Sequence, residues 1–154
     1  MLNRIREVLG EERARTFHSH FSKIQFTPNG GEKMHLTFDQ EDFGPDPESR
    51  KKTTGYILAA CQAADWMGAK RVVIHSGALM KRTRREAMDI AMPTLKEVLT
   101  ACDGEGYGHI SLCPETMGKI NQLGDLDEVL ELCTLDERLT PCVDCGHLYA
   151  RTLG

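Results

Sequence analysis

The sequence predicts an α/β fold, a parallel half-barrel of four βα units, and three observations carry that expectation. Short apolar runs alternate with stretches of helical periodicity along most of the chain, which implies a parallel sheet with right-handed crossovers. The connections are short, except after the first strand. The chain has 154 residues, enough for one domain with a real core but well short of the roughly 250 of a complete (β/α)8 barrel.

Residues 2–14 place Leu2, Ile5, Val8 and Leu9 at helical spacing among charges and predict an amphipathic helix. A strand follows at 16–21, where alternation sets His18 and His20 on one face and Phe17, Ser19 and Phe21 on the other. From 22 to 47 the periodicity is lost. Pro28, Asn29-Gly30-Gly31, Gly44, Pro45 and Pro47 predict a long loop, with a hairpin turn at Asn29-Gly30 as one option. Glu32 and His35 lie in it, and a solvated pair is their plain reading.

A helix is expected from Pro47 to Met67, with Tyr56, Ile57, Ala60, Ala64 and Met67 on one face and Gly68 as its stop. Strand 71–75 ends in His75 and turns at Ser76-Gly77. The next helix runs over 84–101, and Pro93 inside it predicts a kink or a break. Lys81, Arg82, Arg84 and Arg85 at its start read as a solvated helix end, with a phosphate contact as the alternative. A polar turn at 103–108 leads to strand 109–114, where His109 sits far from the ligand end and reads as structural. Leu126, Val129, Leu130 and Cys133 predict a short helix, and the last strand is 140–145.

The net charge of −4 gives no whole-molecule attraction to nucleic acid or an anionic membrane, so any phosphate binding must be local. No apolar run approaches the roughly 20 residues that span a bilayer. The charged N-terminus has no secretory apolar region. The expectation is a cytoplasmic protein without a membrane partner. The 6 cysteines are scattered through predicted elements and read as reduced, mostly buried thiols. Cys142 and Cys145 form a C-x-x-C with no second pair beside it, a weak signal for a metal or redox motif.

The run Ile110-Ser-Leu-Cys-Pro-Glu-Thr-Met-Gly-Lys-Ile-Asn-Gln-Leu-Gly124 enters Glu115 from a short apolar strand and leaves it through a glycine-punctuated loop. An isolated glutamate there would be a solvated side chain. Glu115 has company: His75, Asp144 and His18 stand at or near the ends of other strands, and in a parallel barrel those C-terminal ends converge. Imidazole and carboxylate donors suit divalent metals such as zinc. Asp144 and His147 are spaced to offer one donor at the strand tip and another a turn later, which suits two neighbouring metals better than one. Such a cluster activates water near neutral pH and neutralises phosphate.

Leu112-Cys-Pro-Glu-Thr-Met-Gly-Lys-Ile-Asn-Gln-Leu-Gly124 resembles the glutamate motif of endonuclease IV and related xylose isomerase-like TIM barrels (AP endonuclease family 2). Cys142-Val-Asp-Cys-Gly-His-Leu-Tyr-Ala150 is similar to that family's D-T-C-H segment, Val73-Ile-His-Ser-Gly77 to its strand-four histidine, and Phe17-His-Ser-His-Phe-Ser-Lys23 to its strand-seven H-x-N-D-S-K. The resemblance implies that Glu115, the residue expected to carry the chemistry, bridges two metals. It implies that His75 binds one, that Asp144 and His18 bind the second, and that His147 binds a third. The family's third metal also takes a D-x-H from the following loop, where this chain offers Glu32-Lys-Met-His35, matched at His35. The resemblance leaves His20 and Glu32 without assigned roles.

The order departs from the family. Residues 46–154 resemble its third helix through sixth strand, whereas residues 1–46 resemble the later sixth helix through seventh strand. Strands one, two, three and eight have no counterpart, nor do their histidine and glutamate ligands. That order implies a natural permutation or an engineered rearrangement. An open half-barrel exposes two sheet edges, and a strand order of seven-four-five-six implies a homodimer that closes an eight-stranded barrel. The resemblance implies a zinc-dependent phosphodiesterase that cleaves DNA beside abasic sites, a DNA-repair activity, weak or absent in this permuted form. The alternatives are a sugar isomerase or epimerase using manganese or magnesium, and a scaffold without activity.

Overall fold

The computed structural model describes residues 4, 6–10, 18–20, 33–34 and 46–154, with 18–20 and 33–34 described by backbone alone. Residues 4 and 6–10 are helical, and the four helices that follow them each begin where the sequence supplies a cap. Asp46 accepts from the Ser49 amide at 3.0 Å and Pro47 occupies the first turn of α1, Pro47–Trp66. Thr83 and Glu86 form a reciprocal capping box at the start of α2, Arg84–Gly104, and Asp125 and Glu128 do the same for α3, Leu126–Cys133. The last helix, α4, Cys145–Thr152, is capped by Asp144. It takes over where the sequence predicted the end of a strand at 145.

The strands are β1 His18–His20, β2 Lys33–Met34, β3 Arg71–Ile74, β4 Ser111–Pro114 and β5 Cys142–Asp144. All pairings between them are parallel. β2, β3 and β4 form one ladder, β1 pairs with β5, and a parallel bridge between Glu115 and Cys142 joins the two groups. The order β2-β3-β4-β5-β1 is a partial barrel.

Three expectations change here. β1 lies beside β5, with His20 level with Asp144, rather than beside β3 as the seven-four-five-six order required. One edge of its backbone is therefore already paired within the chain. The expected loop of 22–47 contributes Lys33–Met34 as an edge strand on β3, because a sheet edge satisfies backbone donors that an isolated loop leaves to water. The turn expected at Asn29-Gly30 lies outside the described residues. Pro93 sits inside an unbroken helix. It is on the exposed face, where water can take the carbonyl that loses its amide partner.

The core lies between the strands and the helices. Val72, Ile74 and Leu112 pack with Ile57, Ala64, Leu95, Val98 and Leu132, while Leu130 and Val143 form a smaller cluster with Val8, Leu9, Leu126 and Leu148. On α1 the buried stripe is Thr53, Ile57, Ala60, Cys61 and Ala64. Tyr56 and Met67, expected on that face, are exposed. Helix rotation explains this: positions 53, 57, 60 and 64 recur at three and four residues, and Tyr56 falls to one side of them. Alternation along the strands then turns His75, Glu115 and Asp144 away from the helix layer, toward the inner face. All 6 cysteines are free thiols, and among the described residues no helix is long and apolar enough to cross a membrane.

Candidate metal centre

Glu115 follows β4, and its amide is held by the Ile74 carbonyl of the neighbouring strand at 2.9 Å. The side chain is 1% exposed, and Oε2 lies 3.2 Å from His75 Nε2. Thr116 then crosses to β5: its amide donates to the Cys142 carbonyl at 2.9 Å, and its hydroxyl accepts from the Asp144 amide at 2.8 Å. Two strand ends are thereby locked in register. One donor atom from each of Glu115, Asp144 and His147 lies within 4.8 Å of the other two.

His147 is oriented before any ligand arrives. Its Nδ1 lies 2.8 Å from the Thr116 carbonyl, which can only accept, so Nδ1 carries the proton and Nε2 the lone pair; Nδ1 also stands 3.8 Å from Asp144 Oδ2. The His147 amide donates to Asp144 Oδ1 at 2.8 Å. Asp144 thus caps α4 with one oxygen while its side chain stays buried, 2% exposed.

The donor set fits a zinc-class ion. Two carboxylates share a pocket at 1% and 2% exposure. Buried anions so close require a cation or a proton between them. With the imidazoles they make a mixed oxygen and nitrogen set. Of the residues singled out in the sequence, Glu115, Asp144 and His147 converge and His75 touches Glu115. β1 brings the backbone of His18 and His20 beside β5. The side chains of His18 and His20, and Glu32 and His35 entirely, lie outside the described residues. His109 sits apart, paired with Asp65 at 3.0 Å across the surface.

The loop after Glu115 carries groups that sequence reading did not single out. Gly124, at φ +129°, closes it: a Cβ there would stand 2.7 Å from Met117 Cγ and 3.0 Å from the Glu115 carbonyl. Arg84, read from sequence as solvated or phosphate-binding, instead points into this loop. It donates to the carbonyls of Ile120 at 2.9 Å and Gln122 at 3.1 Å, and forks onto both Glu128 oxygens at 2.5 Å. Arg85 is also engaged, with Glu131 at 2.9 Å.

Burial pushes the Glu128 carboxyl up, but Arg84 and the Gly124 and Asp125 amides outweigh it and hold the pKa below the ordinary value. A lowered folded pKa contributes stability that is present above the unfolded value and lost as pH falls through the folded one. Glu128→Gln is therefore expected to cost about 1–3 kcal/mol at neutral pH. That cost should shrink as the solution is acidified. Denaturant titrations at neutral and acid pH check this, and a penalty unchanged by acid would contradict it.

A model of the xylose isomerase-like TIM barrel matches residues 3–154. An uncharacterised protein of Methanocaldococcus jannaschii is 27% identical over 94% of this chain and 50% of its own length. A probable endonuclease 4 of Mycoplasma pneumoniae is 32% identical over 77% of this chain and 42% of its own. The chain thus spans half or less of the length of these relatives. Among solved structures, a D-tagatose 3-epimerase-like protein superposes with a TM-score of 0.63 at 26% identity, over 74% of this chain and 45% of that one. A Thermus thermophilus protein soaked with zinc chloride gives 0.53 at 27% identity, over 73% and 46%.

Proposed function

Because the chain belongs to the xylose isomerase-like TIM barrel family, we propose that its inner face binds zinc and carries a phosphodiesterase site of the endonuclease IV kind, acting on DNA at abasic positions. The observation that carries this is the position of Glu115. His75 meets one of its oxygens at 3.2 Å, and Asp144 and His147 bring donors within 4.8 Å. A carboxylate with imidazoles from the end of β3 and the first turn of α4 suits more than one ion.

Glu115, Asp144, His147 and His75 would hold the metal, with His18 and His35 added by the family pattern. When bound, cations of this class activate water and neutralise phosphate charge. The chain's own part is positioning. Thr116 ties the two acidic strand ends together, its carbonyl aims His147, and the buried carboxylates supply the negative charge that attracts cations. Residues 1–46 take the place of the family's later elements in this reading. Its support is that β1 lies beside β5, as a seventh strand lies beside a sixth. A second copy would cover the open inner face, making a homodimer, and light scattering on purified protein tests it: a compact monomer at micromolar concentration would exclude that assembly.

Sugar epimerisation is the second reading, favoured by the fold match to the D-tagatose 3-epimerase-like protein. Metal content and substrate separate the two. Two or three zinc ions per chain with cleavage of an abasic-site duplex are the expected result. One manganese or magnesium ion with turnover of a ketohexose would replace the nuclease reading by the epimerase one.

A further inference from the structure

We propose that two turns beside the candidate metal centre, 79–82 and 119–122, form a docking tip for duplex DNA, in which Met80 and Ile120 enter the gap left by a missing base while Lys81 and Lys119 take the flanking phosphates. The choice of partner rests on the nuclease reading above. Both turns follow strands whose ends carry candidate donors, β3 with His75 and β4 with Glu115. Each is closed by its own bond, from the Arg82 amide to the Leu79 carbonyl at 3.0 Å and from the Gln122 amide to the Lys119 carbonyl at 3.1 Å. The two are held side by side: the Leu79 amide donates to the Asn121 carbonyl at 2.9 Å, and Ala78 and Gln122 form an antiparallel bridge. Arg84 fixes the Ile120 carbonyl at 2.9 Å, and Arg151 fixes those of Met117 at 3.0 Å, Lys119 at 2.9 Å and Gln122 at 3.4 Å.

Met80 and Ile120 occupy the second position of their turns and stand 67% and 72% exposed. Such corners ordinarily carry glycine, proline or small polar residues. Met80 is also held at φ +55°, a left-handed conformation that a long side chain rarely adopts. Packing within the chain accounts for neither side chain, and a partner that buries both does. Charge identifies that partner. Residues 76–85 carry Lys81, Arg82, Arg84 and Arg85, residues 116–124 carry Lys119, and neither stretch holds an acid, on a chain whose net charge is −4. The bordering acids Glu86 and Asp125 are engaged in helix caps, and Arg84 and Arg85 in ion pairs with Glu128 and Glu131. Lys81 and Lys119 stay exposed beside the apolar pair. A polyanion with an apolar interior matches this pattern: DNA lacking a base offers phosphates on either side of an opened stack. Apolar side chains such as Met and Ile wedge between base steps, and unstacking costs least at a damaged position.

Fluorescence anisotropy of a labelled duplex with one abasic site or none, titrated with the full chain in chelator so that no strand is cut, tests this. The wild type should bind the abasic duplex about tenfold more tightly than the intact one, roughly the factor that burying one such side chain supplies. Met80→Gly with Ile120→Ala should erase that difference, and glycine keeps the left-handed turn intact. Should the double variant not fold, Ile120→Ala alone carries the same readout. Lys81→Gln with Lys119→Gln should weaken binding of both duplexes alike and lower the salt slope by about two. Undiminished discrimination in the apolar variant, or a wild type that binds neither duplex, would overturn the proposal. A dimer that the apolar variant dissolves with DNA binding intact would also overturn it and assign the patch to a second copy. Zinc uptake is measured separately: a chain that takes up zinc yet binds no duplex loses the docking tip and keeps the metal centre, and one that discriminates through the tip yet takes up no zinc keeps the tip and loses the hydrolytic reading.

Discussion

Replacing Glu115 with glutamine is expected to abolish zinc-dependent stabilisation while leaving the metal-free fold at least as stable as the wild type. Glu115 and Asp144 are both buried, with oxygens in one small cluster. Without a cation, two such charges repel and each is poorly solvated. Glutamine keeps the shape and removes one charge, so the metal-free chain loses a penalty. The same change removes the central anionic donor. Zinc at a hundredfold excess over its dissociation constant would stabilise the wild type by about 2.7 kcal/mol, and the variant by little of that. Melting curves with and without chelator measure both effects. A variant that zinc still stabilises to the wild-type extent would remove Glu115 from the site.

The largest loss of stability is expected from Leu112→Ala. Leu112 is 0% exposed at the middle of β4, where the strand meets the helix layer. Deleting such a side chain costs roughly 2.7–5.0 kcal/mol, the transfer term plus a cavity the neighbours cannot fill. That is a large share of the about 5–15 kcal/mol that holds a typical domain together. Ile120, 72% exposed on the loop beyond Glu115, should tolerate alanine within about 0.5 kcal/mol. Equal costs at the two positions in urea denaturation would mean that β4 does not pack as described.

How much of this was legible depended on the distance over which each feature is encoded. The helices beginning at Pro47, Arg84 and Leu126 were readable from their periodicity, and their caps at Asp46, Thr83 and Asp125 are local too, since a cap and its amide lie three residues apart in the chain. Glu115 and Asp144 were readable as strand-end carboxylates for the same local reason. The buried stripe of α1 was read slightly out of phase, because Tyr56 and Met67 border the stripe and only packing decides which edge is covered. The roles of Arg84 and Arg151 were not legible. Arg84 reaches its partners across 36 to 44 residues, and Arg151 across 29 to 34, and neither sits in a motif of its own. The strand order was misread for a related reason: pairing of β1 with β5 spans nearly the whole chain.

The sequence by itself determined the alternation of strands and helices, the family, and the candidate donors Glu115, His75, Asp144 and His147, because periodicity, caps and short motifs are written in neighbouring residues. Only the tertiary structure decided that Thr116 welds two strand ends together, that its carbonyl leaves the lone pair of His147 on Nε2, and that two arginines hold the loop beside it. Those depend on which backbone carbonyls meet which side chains after folding, and every residue's carbonyl looks the same in a sequence.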